Sequence, residues 1–392
     1  MLPLGYSTNL HAAETCAEIA AAMSGFAGAL RDDLGWDRLG VDLRLGSVAL
    51  AEGVAGWRLI RAQLDRHRLS AHTLNGFPLN PFQAARVKDA AYLPDWTSQQ
   101  RYADSLKLLD AALFLSDEPL VTVSTVPGSY RPHHRQDAGS VATIAAALGG
   151  WAAAAASVKQ SSGRTAVLCL EPEPWCLLEN DHDVAWFWSG PLATIGAEAA
   201  SRALGGDLAA GRSAIAEHLG VCVDTCHLSL AFVDPADAVR RMVAAGARIA
   251  KVQVSAAPEV ISPGQDPSGV AAMRALDEPR FLHQTAAARR QGEAWGTMVK
   301  VQDLGELDRL LERIPDAHAV RSHFHVPLTT PVTGHGLSAT IAGSRAGLAA
   351  SIAAGCTHVA AETYTWPLLA RSADTIRAGT AGELRWLAEQ LA

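Results

Sequence analysis

One pattern recurs along the chain: a short apolar run ends in a polar residue, and a helical stretch follows it. Residues 221–228 read Val-Cys-Val-Asp-Thr-Cys-His-Leu, so Asp224 ends an apolar run and His227 follows three residues later. An aspartate in such a place costs free energy unless a cation or a hydroxyl pairs with it. Strands that alternate with helices in this way predict right-handed βαβ units and a parallel sheet.

The pattern predicts nine strands, at 4–9, 39–45, 70–77, 120–125, 165–170, 221–224, 250–255, 320–326 and 358–363. With no break in composition between the units, it predicts an α/β fold in a single domain over residues 1–392, a closed (β/α)8 TIM barrel. A barrel needs eight strands, so either the strand with Gln253 or the one with His323 and His325 is an extra element. Between these strands, 258–269 is predicted as a loop and 281–284 as a short strand, and we expect an insertion there.

Composition narrows the class of protein. With 392 residues, of which 49% are apolar and 19% charged, the chain can bury a large core. The net charge of −7, without a Lys/Arg cluster, argues against a nucleic-acid partner. The six cysteines lie scattered, several inside apolar runs, which predicts buried free thiols. No signal peptide is evident, and the alanine-rich run 145–158 falls short of the ~20 residues of a membrane span, so we expect a cytoplasmic protein.

The chemistry should lie where the strands end, because active sites of such barrels sit at the carboxyl ends of their strands. Side chains predicted at these ends are Asn9, His11, Arg44, Asn75, Ser129, Arg131, Glu171, Glu173, Asp224, His227, Gln253, His323, His325 and Glu362. Acids and histidines that meet at one mouth form an oxygen and nitrogen donor set, which suits Mn²⁺, Mg²⁺, Fe²⁺ or Zn²⁺. We therefore expect a divalent metal as cofactor, of unspecified identity.

Longer motifs carry a resemblance to a known family. Leu-Cys-Leu-Glu171, Val-Asp224-Thr-Cys-His227 and Glu362 on the final strand resemble the xylose isomerase-like TIM barrels. Within that superfamily, nearly the whole chain is similar to the EboE "metabolite traffic" family. The motifs of this similarity are Asn9-Leu-His11-Ala-Ala-Glu14, Asn75-Gly-Phe-Pro78, Leu93-Pro-Asp95-Trp96-Thr97, Ser124-Thr-Val-Pro-Gly-Ser-Tyr-Arg131, His323-Phe-His325-Val-Pro327 and Glu362-Thr-Tyr-Thr-Trp366.

The resemblance implies that Glu171, Asp224 and Glu362 bind the metal, together with a histidine from strand seven. The strand that directly follows the Asp224 unit offers Gln253 in that place, while His325 comes one unit later. If Gln253 fills the place, the metal site is altered. We expect His325 to complete the set, because imidazole is the commoner ligand.

The resemblance also implies an isomerase- or epimerase-like reaction on a sugar, sugar phosphate or other polyhydroxylated metabolite. In that reaction a metal holds an α-hydroxycarbonyl while two glutamates move a proton at carbon. Glu171 and Glu362 would be that pair, and His227 would bind a substrate hydroxyl. Lys251 or Arg131 would hold an anionic group. The remaining predicted substrate contacts are Asn9, His11, Asn75, Gln253 and His323.

The alternative is a metabolite-binding or trafficking protein that uses the same barrel without catalysis. The family name, the missing strand-seven histidine and the aromatic residues at 175 and 186–188 favour this alternative, because such residues suit a large, partly apolar ligand. In either case the expected partners are a small-molecule metabolite and proteins of the same biosynthetic or transport pathway. The sequence leaves both hypotheses open.

Overall fold

Eight parallel strands close into a barrel in the computed structural model of the protein, which describes residues 4–329, 337–370 and 372–392. The strands within these residues are, in chain order, Leu4–Ser7 (β1), Leu39–Arg44 (β2), Leu69–Asn75 (β3), Leu120–Thr125 (β4), Thr165–Leu170 (β5), Leu219–Asp224 (β6), Ile249–Val254 (β7), Pro258–Ile261 (β8), Thr285–Gln291 (β9), Ala294–Val301 (β10), Ala319–Ser322 (β11), Ser338–Ala339 (β12) and His358–Ala361 (β13). β1 to β7 lie side by side in chain order, and β13 fills the place between β7 and β1. The predicted closed (β/α)8 barrel is confirmed.

Most helices cover the outside of the barrel, while Pro267–Arg274 and Leu307–Arg313 pack on the strands of the insertion between β7 and β13. The helices span Cys16–Ala22, Gly28–Leu34, Ser47–Arg66, Gln99–Leu115, Ala138–Ser162, Asp181–Phe187, Ala197–Ala203, Leu208–His218, Thr225–Leu230, Pro235–Ala244, Pro267–Arg274, Leu307–Arg313, Ile341–Ala353, Trp366–Leu369 and Ala373–Gln390. π-helical segments at Met23–Ala27 and Trp188–Gly196 join neighbouring helices, and 3₁₀ turns lie at Thr8–Leu10, Lys88–Tyr92 and Leu304–Glu306.

The insertion between β7 and β13 forms a second sheet, with strand order β10-β9-β11-β8-β12 and antiparallel pairing. Gln253 lies on β7 of the barrel, so the extra element is the strand before His323. That strand, β11, ends at Ser322, and His323 and His325 follow it in an extended segment. The insertion therefore carries both histidines towards the barrel mouth from outside the barrel.

Two expectations for the insertion are wrong. Residues 258–269 were expected to form a loop, but they hold β8 and the start of the helix Pro267–Arg274. Residues 281–284 were expected to form a strand, but β9 begins only at Thr285. β8 and β9 both pair with β11, far along the chain, and short strands of this kind owe their stability to their partners, which a local pattern does not contain.

The helix Ala138–Ser162 packs its apolar face on the barrel through Ile144, Leu148 and Trp151. By length and composition it could cross a membrane, and half of its most apolar stretch is buried. One such helix is weak evidence of a span, because the buried helices of folded cores have the same composition. All six cysteines are free and buried, as expected.

Candidate metal centre

Three acids lie at the carboxyl ends of barrel strands. Glu171 follows β5, Asp224 is the last residue of β6, and Glu362 follows β13. All three side chains are buried. The local sequence positions Asp224, because its Oδ1 accepts hydrogen bonds from the backbone N–H groups of Cys226 and His227 at 2.7 and 3.0 Å. This is the capping of a helix start, and it turns the His227 ring back to the barrel mouth.

Each of the three acids keeps one carboxylate oxygen without a hydrogen-bond partner among the described residues, namely Glu171 Oε2, Asp224 Oδ2 and Glu362 Oε2. The other oxygen of Glu171 accepts from Gln253 Nε2 at 2.9 Å, and that of Glu362 from Asn9 Nδ2 at 2.8 Å. A buried carboxylate oxygen is costly unless a proton or a cation accompanies it. The acids thus form a site that attracts positive charge.

The pKa values of the acids follow from this burial. Burial, followed by the neighbouring charge of Asp224, raises the pKa of Glu171 to about 8. Burial, followed by the charges of Glu171 and Asp224, also raises the pKa of Glu362 well above its ordinary value. For Asp224 burial again raises the pKa, although His325 and the two backbone N–H groups oppose the shift.

Three buried histidines face these acids. His227 Nε2 lies 3.0 Å from His323 Nε2, which lies 3.2 Å from His325 Nε2. Burial lowers the pKa of His227 to about 3 and that of His325 to about 4, and it lowers the pKa of His323 well below its ordinary value. The rings are therefore neutral at physiological pH and have lone pairs for a ligand.

Donor atoms of these residues form three overlapping groups, in each of which all ligand atoms lie within 4.8 Å of one another. The groups are His227, His323 and His325; Asp224, Cys226 and His325; and Glu171, Asp224 and His227. Such oxygen and nitrogen donors fit a divalent cation, as do the unpaired carboxylate oxygens. Of the four predicted ligands, Glu171, Asp224 and His325 fall in these groups, while Glu362 lies outside them. Glu362 lines a cleft at the barrel mouth, which Glu171 and His325 also line. Metal binding by each residue stays a prediction.

The predicted substrate contacts divide into three groups. Asn9, His227 and His323 line the cleft at the barrel mouth. Asn75 donates to Glu362 Oε1 at 3.4 Å and, like Gln253, holds a carboxylate from beside or below the cleft.

Three other predicted contacts point elsewhere. His11 Nε2 lies 3.1 Å from Tyr6 Oη, and the His11 ring stacks edge-on against Phe26. Lys251 lies under the cleft inside the barrel, with Nζ 2.8 Å from Asp42 Oδ2. The Arg131 guanidinium donates hydrogen bonds to the carbonyl groups of residues 176 and 177 and to the Asp183 carboxylate. None of the three is among the described residues that line the cleft.

An apolar cluster, hereafter the roof, covers the cleft and consists of Phe82, Val87, Phe281 and Tyr364. The ring of Phe82 lies 4.8 Å from that of Phe281 and 5.0 Å from that of Tyr364. The roof leaves about 50 Å³ for water-sized molecules. Sequence reasoning missed the roof because its members lie on loops, where apolar residues show no periodicity.

Sequence reasoning also missed a hydrogen-bonded chain behind the histidines. Tyr92 Oη donates to Glu173 Oε1 at 2.9 Å, Gln284 Nε2 donates to Tyr92 Oη at 2.6 Å, and Gln284 Oε1 lies 2.7 Å from His323 Nδ1. The chain joins a barrel loop to the insertion. The one sequence feature that indicated this chain was the second acid, Glu173, two residues after Glu171.

No protein-family model matches the chain, and no curated protein matches it by sequence. Solved structures do resemble it. A xylose isomerase domain protein from Planctomyces limnophilus is 12% identical with a TM-score of 0.45, over 99% of this chain and 95% of that one. The IOLI protein with a bound zinc atom is 9% identical with a TM-score of 0.45, over 98% and 96%. D-allulose 3-epimerase from Methylomonas sp., in complex with D-allulose, is 16% identical with a TM-score of 0.40, over 65% and 72%. At such identities and TM-scores these likenesses carry no argument about activity, and the barrel stands on its own strand topology.

Proposed function

We propose that the protein is a metal-dependent isomerase or epimerase that acts on a polyhydroxylated metabolite by proton transfer at carbon. One observation carries the proposal: two buried glutamates, Glu171 and Glu362, each present an unpaired oxygen at one cleft beside neutral histidines. β6 and β7 separate the strands that precede them, so the two carboxyl groups approach a ligand from different sides of the mouth.

The two glutamates differ in proton affinity, which suits them to different roles. Glu171, whose pKa is raised to about 8, exchanges a proton near neutral pH and acts as the base at carbon. Glu362, whose pKa lies well above its ordinary value, keeps its proton and acts as the acid. Asn9 holds Oε1 of Glu362 at 2.8 Å and so fixes the direction of the other oxygen. A divalent cation, when bound, would polarise the carbonyl group next to the reacting carbon.

The cleft suits a sugar better than a sugar phosphate. Lys88 is the cationic side chain among the described residues that line it, and its Nζ already contacts Asp303 at 2.7 Å and the Glu278 carbonyl at 3.3 Å. The roof offers aromatic faces on which the apolar face of a sugar ring can stack.

Deuterium exchange at carbon tests the proposal. The metal-loaded protein is incubated with a panel of free ketoses in D₂O, and proton NMR follows loss of the signal next to the carbonyl group. Glu171→Gln and Glu362→Gln should each slow exchange by about 10²–10⁴-fold, the usual contribution of general acid–base catalysis. Glu293→Gln, an exposed acid on the β9–β10 hairpin, is the matched control and should exchange at the wild-type rate.

A metabolite-binding or trafficking role, as the similarity to the EboE family implies, is the second candidate. The roof favours it, because its apolar side chains line the cleft and suit the retention of a partly apolar ligand. Calorimetric uptake of a ketose, with no deuterium exchange and no product after long incubation, would support this role and contradict catalysis. For either role we propose a cytoplasmic location.

A further inference from the structure

We propose that His227, His323 and His325 together bind one divalent transition-metal cation through their Nε2 atoms. The segment after β11, and not β7, then supplies two of the three imidazoles, while His227 comes from the helix that follows β6. His227 and His323, which the sequence assigned to the substrate, become ligands. The inference deepens the metal centre on which the proposed function rests, but metal binding alone can test it.

The proton positions of two rings follow from their partners. His227 Nδ1 lies 2.9 Å from the Pro172 carbonyl oxygen, and His325 Nδ1 lies 2.8 Å from the Glu362 carbonyl oxygen. A carbonyl oxygen only accepts hydrogen bonds, so Nδ1 carries the proton in both rings. In the neutral form in which an imidazole binds a metal, each Nε2 then has the lone pair.

The hydrogen-bonded chain of Glu173, Tyr92 and Gln284 determines which ring nitrogen of His323 carries the proton. The Tyr92 hydroxyl donates a hydrogen bond to Glu173, so its oxygen accepts one from the amide Nε2 of Gln284. The amide oxygen of Gln284 then faces His323 Nδ1 at 2.7 Å, and it only accepts. His323 therefore also carries its proton on Nδ1, and its Nε2 lone pair points to the other two rings.

Three lone pairs thus face one another with no proton between them. At 3.0 and 3.2 Å, the two Nε2 contacts are repulsive unless a cation lies among them. Two imidazole nitrogens bound at 2.0–2.1 Å to one tetrahedral zinc ion lie about 3.3–3.4 Å apart. The observed separations are close to this spacing. All three rings also line the cleft, which leaves room for a further ligand on its side.

The backbone holds the histidine segment in place on both sides. His323 N donates to the Gln284 carbonyl oxygen and Val326 N to the Ala256 carbonyl oxygen, each at 2.8 Å. His325 Nδ1 also lies 2.9 Å from Ser255 Oγ, next to the end of β7. Ligands that are oriented before the metal arrives bind it more tightly. On β7 itself, Gln253 is occupied with Glu171.

X-ray absorption of the wild-type protein loaded with one equivalent of Zn²⁺ is the decisive measurement, because it needs no variant to fold. Scattering from three imidazoles is expected. One imidazole with oxygen ligands would mean that the cation sits among Glu171, Asp224, His325 and Glu362, and would overturn the inference. Failure to bind Zn²⁺ would overturn it as well.

The metal affinity of histidine variants is a second test of the three-histidine site. His323→Gln and His227→Gln should each weaken Co²⁺ or Zn²⁺ binding by more than about 100-fold, since even an outer partner of a ligand is worth 10–100-fold. His218→Gln is the matched control, because His218 is fully buried before the start of β6, at the other end of the barrel. Unchanged affinity in both site variants would overturn the inference. Triple-imidazole binding without deuterium exchange would uphold the site and count against the proposed catalysis alone.

Discussion

The stability of the metal-free protein should depend on pH through Glu171. Its side chain is 4% exposed, and burial, then Asp224, raises its pKa from an ordinary 4.5 to about 8. Between these values the unfolded chain has released the proton and the folded protein still holds it. Stability is then present at low pH and is lost as the pH rises through the folded pKa, because the folded state binds more protons.

The magnitude follows from the shift. A difference of about 3.5 pKa units between 4.5 and about 8, at 1.36 kcal/mol per unit, has an upper limit of about 5 kcal/mol. Some of that range lies outside pH 5–8, so we expect the free energy of unfolding to fall by about 3 kcal/mol between pH 5 and pH 8 from this group. Glu171→Gln removes the titration and should remove this part of the pH dependence.

Urea denaturation in the presence of a chelator, at pH 5, 6, 7 and 8, measures the effect in wild type, Glu171→Gln and the exposed control Glu293→Gln. The Glu171 variant should be the most stable of the three at pH 8 and should differ little from wild type at pH 5. Parallel curves for wild type and Glu171→Gln would refute the reasoning, because Glu171 would then be ionised in the folded protein throughout this range.

Three further predictions concern other parts of the site. Lys251→Met should lower the free energy of unfolding, measured in urea, by about 3–5 kcal/mol, because it leaves the Asp42 carboxylate buried and unpaired. The double variant with Asp42→Asn should recover part of this loss. No recovery would contradict a stabilising ion pair between Lys251 and Asp42. Arg131→Ala should leave deuterium exchange unchanged and lower the free energy of unfolding by only about 1–2 kcal/mol, since the partners of Arg131 are carbonyl groups and Asp183. A large loss of ligand affinity in this variant would show that Arg131 does contact the substrate. Zn²⁺ at 100 times its dissociation constant should raise the unfolding free energy of the wild type at pH 8 by about 2.7 kcal/mol, and the gain should vanish in His323→Gln at the same concentration.

The barrel and its acids could be predicted from the sequence because both have local causes. Alternating apolar runs and helical stretches already imply βαβ units, and a polar residue at the end of an apolar run marks the carboxyl end of a strand. Glu171, Asp224 and Glu362 were found in this way, each from a few neighbouring residues. The capping of a helix by Asp224, which places His227, is likewise local.

Which of two strands was the extra one could not be decided in this way, because β11 is a strand through its pairing with β8 and β9, which begin far earlier in the chain. For the same reason the sequence left Lys251 without a partner, although Asp42 meets it across the barrel. A buried charge takes its role from the groups that surround it, and those belong to distant segments.

The histidines make the contrast clearest. The sequence by itself determined that a barrel places acids and imidazoles at one mouth. Only the tertiary structure decided that His227 meets His323, 96 residues away, with the two Nε2 atoms 3.0 Å apart. It also decided where the ring protons lie, since the carbonyl and amide groups that accept them come from other loops. The carboxyl ends of the barrel strands follow from neighbours along the chain, whereas the protonation and partners of a buried side chain are set by neighbours in space.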